Sequence, residues 1–222
     1  FFYLRETPPQ PQAQLVVRDG LHGAERVLFN PQVHASAGAP PAIESVFVAP
    51  SGDKVAFTTQ QGGSEDETLH VVDATTGQML SDVLPHVGGG TSGVALAWDG
   101  NERGFIHTQW PQRADGSYAT SGILIYHHVL GRPQSADFYV FGRGLSPRAE
   151  YALDSSLDGR MEAMFDTDGD GVHAAVYLRK DGGTFTRVAT PDDGIGSSGS
   201  LGGAFVGDAL DVLSQRGGSR GE

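Results

Sequence analysis

Short apolar segments recur along this chain with a period near 50 residues, and this repeat constrains the fold more than any other feature. Each copy has an apolar segment, a Gly/Asp turn and a second apolar segment, as in Val46–Thr59. The copies start near residues 46, 94, 151 and 203. A period of roughly 50 residues with several short strands per copy is typical of β-propeller blades. The repeat therefore predicts an all-β propeller of four-stranded blades.

Helical periodicity is nearly absent from the sequence. No window of about 12 residues has apolar positions at helical spacing flanked by capping signals. The leading residues 1–30 are expected to supply half a blade, so residues 1–222 make a single partial propeller of about four to four and a half blades. Open strand edges of an incomplete ring invite pairing with another chain. Self-association through these edges is therefore an expectation.

Composition and charge exclude several classes of protein. The chain has 15 Lys and Arg against 27 Asp and Glu, a net charge of −12. This balance argues against binding to nucleic acid or to an anionic membrane surface, since both attract basic proteins. The absence of cysteine removes disulfides, thiolate nucleophiles and cysteine-based metal sites. No apolar stretch approaches the roughly 18 residues of a membrane helix.

Two glycine-rich motifs resemble catalytic or cofactor-binding signatures. Gly217–Gly221 fits G-x-S-x-G around Ser219, but only Glu222 follows, so the later acid and histidine of a hydrolase triad are missing. Gly194–Gly199 fits G-x-G-x-x-G, yet no helix is expected after it. Both motifs are interpreted as loops. We therefore expect no catalytic residue and no cofactor in this chain.

The sequence patterns that could indicate a metal site are also weak. Asp166–Gly171 matches the front half of a calcium loop, but Tyr177 stands where a bidentate Glu is needed. A solvated turn is favoured over an ion site there. His127 and His128 are neighbours on a predicted strand, so they point to opposite faces and cannot share one metal. The acidic run Glu65–Glu67 is interpreted as a solvated turn, and no metal site is predicted.

Several motifs, in family order over nearly the whole chain, resemble the propeller of prolyl oligopeptidases. The best single motif is Ile125–Gly131 followed by Asp137, which is similar to the family's Y-H-x-L-G…D run. The other matching segments are Phe1–Tyr3, Gln14–Asp19, Arg26–Pro31, Gly63–Asp66, Val72–Gly77, Asp82–Leu84, Ala97–Trp98 with Trp110–Gln112, and Ser156–Arg160.

The resemblance implies part of a serine peptidase that cuts short peptides after proline. In this family a propeller, expected to have about seven blades, caps an α/β-hydrolase domain and filters substrates by size. The implied partners are therefore that hydrolase domain of the parent chain and short peptides, and the resemblance favours a cytoplasmic location. The chemistry belongs to a domain outside these 222 residues, so this chain alone is expected to be inactive.

The resemblance also suggests where a substrate passes. A propeller arginine of the family follows the D-G-R strand and reaches toward the substrate. This sequence departs from that pattern, because Asp166, Thr167 and Asp168 stand there and no arginine occurs before Arg179. These three residues are the candidate substrate-facing residues.

One alternative function stays open from the sequence. The chain could be a free-standing β-propeller or half-propeller binding module, closed by self-association. The family also contains enzymes that cut after basic residues and peptide macrocyclases, and nothing in the sequence separates these activities.

Overall fold

The structure is a computed structural model, and it describes residues 1–35, 38–89, 93–169, 171–196 and 203–217. It contains antiparallel strands joined by short turns, with a few one-turn 3-10 helices. The prediction of an all-β fold is confirmed. No helix among the described residues is long and apolar enough to cross a membrane. The chain divides into two compact units.

The first unit comprises Phe1–Val87 and Gly131–Gln134 and holds two runs of antiparallel strands. The first run has three strands: β1 (Phe2–Arg5), β2 (Gln14–Arg18) and β3 (Glu25–Phe29). The second run has four: β4 (Ala42–Val48), β5 (Lys54–Gln60), β6 (Glu67–Asp73) and β7 (Met79–Val87). Their facing sides enclose a core that includes Leu15, Phe29 and Phe57.

The second unit comprises Gly88–Leu130 and Ser135–Glu222 and holds three further runs. The first contains β8 (Leu96–Trp98), β9 (Gly104–Gln109), β10 (Leu124–Val129) and β11 (Phe138–Phe141). The second contains β12 (Ala149–Ser155), β13 (Met161–Asp168), β14 (Ala175–Lys180) and β15 (Thr186–Ala189). The third contains β16 (Gly203–Val206) and β17 (Ala209–Val212).

Alternation of side chains gives the sheet β12–β15 two apolar faces. Tyr151 and Met164 lie on one face, in a core shared with residues of β8–β10 such as Ile106. Phe165 and Val176 lie on the other face, in a core to which Phe205 of β16 contributes. Because successive residues of a strand point to opposite sides, a residue's parity on β13 decides which core it joins. This parity positions the candidate site described below.

The strands that open the four runs after β1–β3 begin at Ala42, Leu96, Ala149 and Gly203. The sequence repeat places the starts of the copies near residues 46, 94, 151 and 203. Residues 1–30, expected to form half a blade, contain the three strands β1–β3. The division of the chain into blades, their number and the single-propeller organisation stay predictions.

Two hairpin turns of the second unit meet through glycines. Gly159, in the β12–β13 turn, has a φ of +61°, and a Cβ there would lie 1.9 Å from the backbone nitrogen of Gly100. A Cβ on Gly100, in the β8–β9 turn, would lie 1.7 Å from the carbonyl oxygen of Asp158. Both distances are far inside van der Waals contact, so only residues without a side chain allow this approach.

Candidate functional site

The predicted residues Asp166, Thr167 and Asp168 end strand β13, beside the first residues of β12 and β14. Tyr151 pairs with Asp166 across β12 and β13, and Ala149 pairs with Asp168. Residues directly opposite each other on antiparallel strands project from the same face. Asp166, Asp168 and Tyr151 therefore share one face of the sheet, and we call Asp166 and Tyr151 together the Asp166 site.

Thr167 points to the opposite face from the two aspartates. Its side chain is buried, and its hydroxyl donates a 3.5 Å hydrogen bond to the carbonyl oxygen of Glu150. The three predicted residues thus lie on one strand end, but only Asp166 and Asp168 are brought to the same face. Contact of any of the three with a substrate stays a prediction.

Asp168 is exposed and already has partners. It accepts a 2.6 Å hydrogen bond from the Ser146 hydroxyl and a 2.6 Å ion-paired hydrogen bond from Arg148. These hydrogen bonds, from Ser146 first and then Arg148, hold the pKa of Asp168 below its ordinary value. The side chain anchors the segment that precedes β12 to the end of β13.

Asp166 differs from Asp168 in having no such partner. Its side chain is partly buried, and among the described residues none donates a hydrogen bond to its carboxylate. Burial, and then the negative charge of Asp168, raise the pKa of Asp166 to about 6. A raised carboxyl pKa means that the charged form lacks stabilising neighbours. Such a carboxylate gains more from an incoming hydrogen-bond donor than a paired one does.

Tyr151 presents a second unpaired polar group. The residue is 2% exposed, and its hydroxyl has no hydrogen-bond partner among the described residues. Burial, and then the charge of Asp166, raise the pKa of Tyr151. Buried hydroxyl groups almost always have a partner. An unpaired hydroxyl beside an unpaired carboxylate is therefore a candidate binding position.

Strand β11 and the turn after it lie near Tyr151. Tyr139 accepts a 2.9 Å hydrogen bond on its hydroxyl from the backbone N–H of Arg143, whose guanidinium lies 4.2 Å from the Tyr139 ring centroid. Gly142 has a φ of +114°, and a Cβ there would lie 3.2 Å from the Tyr151 hydroxyl. Glycine at this position lets the chain after β11 pack closely against the buried hydroxyl. The site thus combines a partly buried carboxylate and a buried hydroxyl.

The other motifs from the sequence form no further candidate site among the described residues. Ser219 and the residues Ser197–Gly199 lie outside the described residues, as does Asp170 of the partial calcium loop. No group of three or more His, Asp or Glu side chains that could hold a metal occurs among the residues that the structure describes. His127 binds the Asp99 carboxylate at 2.9 Å, while His128 binds Asp137 at 2.7 Å.

The sequence pointed neither to Tyr151 nor to the partners of Asp137. Asp137 accepts hydrogen bonds from His107 at 3.2 Å and His128 at 2.7 Å, and all three side chains are almost fully buried. The resemblance singled out the motif that holds His128 and Asp137, but not its third member, which lies on β9. Tyr151 could have been found only from the register that pairs it with Asp166.

Comparison with known proteins agrees with this architecture. The family model described as the prolyl oligopeptidase N-terminal beta-propeller domain matches residues 1–191. Curated prolyl endopeptidases from Elizabethkingia meningoseptica and Elizabethkingia miricola are 31% and 30% identical over 142 residues. These matches cover 62% of this chain and 19% of each relative. The chain therefore spans about a fifth of the length of the curated relatives it matches.

Solved structures of the same family superpose well. A prolyl endopeptidase structure matches with a TM-score of 0.72 and 27% identity, over 86% of this chain and 28% of that one. Prolyl oligopeptidase B from Galerina marginata, bound to a 25mer macrocyclization substrate, matches with a TM-score of 0.69 and 18% identity, over 85% of this chain and 29% of that one. From its strand architecture and these matches, the chain belongs to the N-terminal β-propeller family of prolyl oligopeptidases.

Proposed function

We propose that this chain is part of the substrate-gating propeller of a serine peptidase that cleaves short peptides after proline. The observation that carries the proposal is the family match over residues 1–191, together with curated relatives that are prolyl endopeptidases. The same match supports this function over a free-standing binding module.

The partner that this function requires is an α/β-hydrolase domain in the same polypeptide. That domain would supply the nucleophilic serine, its histidine base and the acid that orients the histidine. The propeller would admit short, unfolded peptides and hold back folded proteins. The chain by itself would then turn over no peptide.

Within the propeller, we propose that Asp166 is the member of the predicted trio that meets the peptide. Thr167 is buried on the other face, and Asp168 is held by Ser146 and Arg148. Of the two aspartates, only Asp166 has a carboxylate without a hydrogen-bond donor among the described residues.

Self-association also remains a proposal. Open strand edges, such as that of the two-stranded sheet β16–β17, are candidates for pairing with a second copy of the chain.

Size selectivity of the native protein tests this function. An antibody against this chain would isolate the native polypeptide, which would receive one proline-containing sequence in two forms: a short peptide and a loop of a folded protein. We expect cleavage after proline in the peptide and none in the folded protein. Equal cleavage of both forms would contradict gating, and no cleavage after proline would contradict the peptidase assignment. The isolated 222-residue chain is the inactive control.

A further inference from the structure

We propose that Asp166 and Tyr151 form a recognition position for a cationic group of a bound peptide, an ammonium or a guanidinium. This inference rests on the proposed function, because it names the class of peptide that the propeller would favour. It also adds Tyr151, a residue that the sequence resemblance does not assign to any site.

The first argument is the hydrogen-bonding capacity of the two groups. The Asp166 carboxylate only accepts hydrogen bonds, and the Tyr151 hydroxyl has lone pairs without a donor. Both side chains project from the same face, since the residues are direct partners across β12 and β13. Ammonium and guanidinium groups carry several donors and no acceptor. One such group could therefore satisfy both oxygens.

The second argument is charge. The nearby arginines are already engaged, because Arg148 is paired with Asp168 and Arg143 lies over the Tyr139 ring. The charge of Asp168 acts on Asp166 and raises its pKa further. An anionic group would meet the negative charges of Asp166 and Asp168 here. The same surface attracts a cation.

A metal ion fits the position less well than an organic cation. Metal ions such as calcium need several oxygen ligands, and no cluster of three metal-ligating side chains occurs in the described part of the chain. An ammonium or guanidinium needs only one carboxylate and one or two further acceptors. In a peptide, that group is either the amino terminus or the side chain of lysine or arginine.

The test compares matched peptides on the 222-residue chain at low ionic strength, using NMR titration to obtain dissociation constants. The probes are a proline-containing pentapeptide with blocked ends and a central lysine, the same peptide with norleucine, and the norleucine peptide with a free amino terminus. We expect the lysine or the free-amine peptide to bind roughly fivefold more tightly than blocked norleucine. Whichever cationic peptide binds better identifies the source of the charge.

Variants then connect that preference to the two residues. Asp166→Asn and Tyr151→Phe should each abolish the preference for the cationic peptide while leaving the norleucine peptide unaffected. Asp181→Asn is the control, because Asp181 is an exposed acid at the other end of the same sheet, paired with Arg160. Thermal unfolding separates binding from folding: Tyr151→Phe should not lower stability, because the lost hydroxyl has no partner in the described part of the chain.

Equal affinity of charged and neutral peptides would overturn the inference while leaving the gating function intact. Loss of the preference in Asp181→Asn as well would also overturn it, because the effect would then come from overall charge. Failure of every peptide to bind would overturn the inference too. The gating function is judged separately, by the size selectivity of the native polypeptide.

Discussion

Arg179 and Glu162 form a buried ion pair across strands β14 and β13, with side chains only 4% and 3% exposed. The Arg179 guanidinium donates from Nε and from Nη2, the latter at 2.7 Å, and its carbon lies 4.9 Å from the Phe185 ring centroid. The two charges neutralise each other where both side chains are buried from solvent. Removing one of them leaves the other buried without compensation.

We expect Glu162→Gln to lower the free energy of unfolding of the second unit by about 3–5 kcal/mol. The matched control is Asp181→Asn, which breaks the exposed pair between Asp181 and Arg160. That change should have a much smaller effect, because solvent screens exposed pairs. Urea unfolding followed by tryptophan fluorescence is suitable, since Trp98 and Trp110 both lie in this unit. Similar losses in the two variants would show that burial of the pair has no energetic consequence.

Because Gly159 lies so close to Gly100, we expect a side chain at Gly159 to lower the stability of the second unit. Gly159 and Gly207 share a φ of +61°, but no atom of the described residues lies within 4 Å of a Cβ added to Gly207. Gly207→Ala should therefore cost only about 1–2 kcal/mol, the strain of a left-handed residue. Gly159→Ala should cost about 3 kcal/mol more, since its methyl group would meet the Gly100 backbone. Thermal unfolding of both variants measures the difference, and equal melting temperatures would contradict the contact.

His70 makes the stability of the first unit depend on pH. Burial, and then the charge of His34, lower the pKa of His70 from 6.5 to about 4. Between these values the unfolded chain binds more protons than the folded one, so stability falls as the pH is lowered from 6.5 to 4. The decrease should reach roughly 3 kcal/mol.

Replacement of His70 by Phe tests this dependence, because Phe keeps the ring stacked on Phe57 and cannot titrate. The variant should show a flatter stability profile between pH 4 and 6.5, measured by urea unfolding with circular dichroism. Exchange of the exposed His22 for Gln is the control and should leave the profile unchanged. A wild-type slope in the Phe variant would mean that another group causes the pH dependence.

Asp137 makes a contribution to the stability of the second unit that depends on pH. Burial alone would raise its pKa, but the hydrogen bonds from His107 and His128 lower it overall. The stabilisation is therefore present above the pKa of an unfolded aspartate, near 3.8, and is lost as the pH falls below that value. Asp137→Asn should lower the free energy of unfolding at pH 7 by about 3 kcal/mol, because each hydrogen bond to a charged group contributes roughly 1.5–3 kcal/mol.

The same variant should lose part of the wild-type decrease in stability below pH 4. Asp208→Asn, in the exposed β16–β17 turn, provides the comparison and should behave like the wild type. Tryptophan fluorescence during urea unfolding at a series of pH values measures both. An unchanged free energy for Asp137→Asn would contradict the proposed hydrogen-bond network.

The strand pattern could be predicted from sequence because local signals determine it. Val46–Val48 and Val55–Thr59, for example, are short strand-like segments on either side of a Gly/Asp turn, and they lie in β4 and β5. The Asp166 site could be predicted only in part. Its aspartates stand out beside a D-G-R motif, but Thr167 and Asp166 separate to opposite faces by strand parity, and Tyr151 reaches Asp166 through strand register. Register depends on long-range pairing, which a single sequence does not specify.

The native polypeptide that carries this sequence provides the most direct measurement of the central claim. Immunoprecipitation with an antibody against this chain, followed by a fluorophosphonate probe for active serine hydrolases, reports both size and catalytic serine. The gating account predicts one labelled polypeptide several times heavier than 23.4 kDa, with this sequence in its amino-terminal part. An unlabelled polypeptide of about this chain's own mass would contradict the account and identify a propeller that works without a peptidase domain.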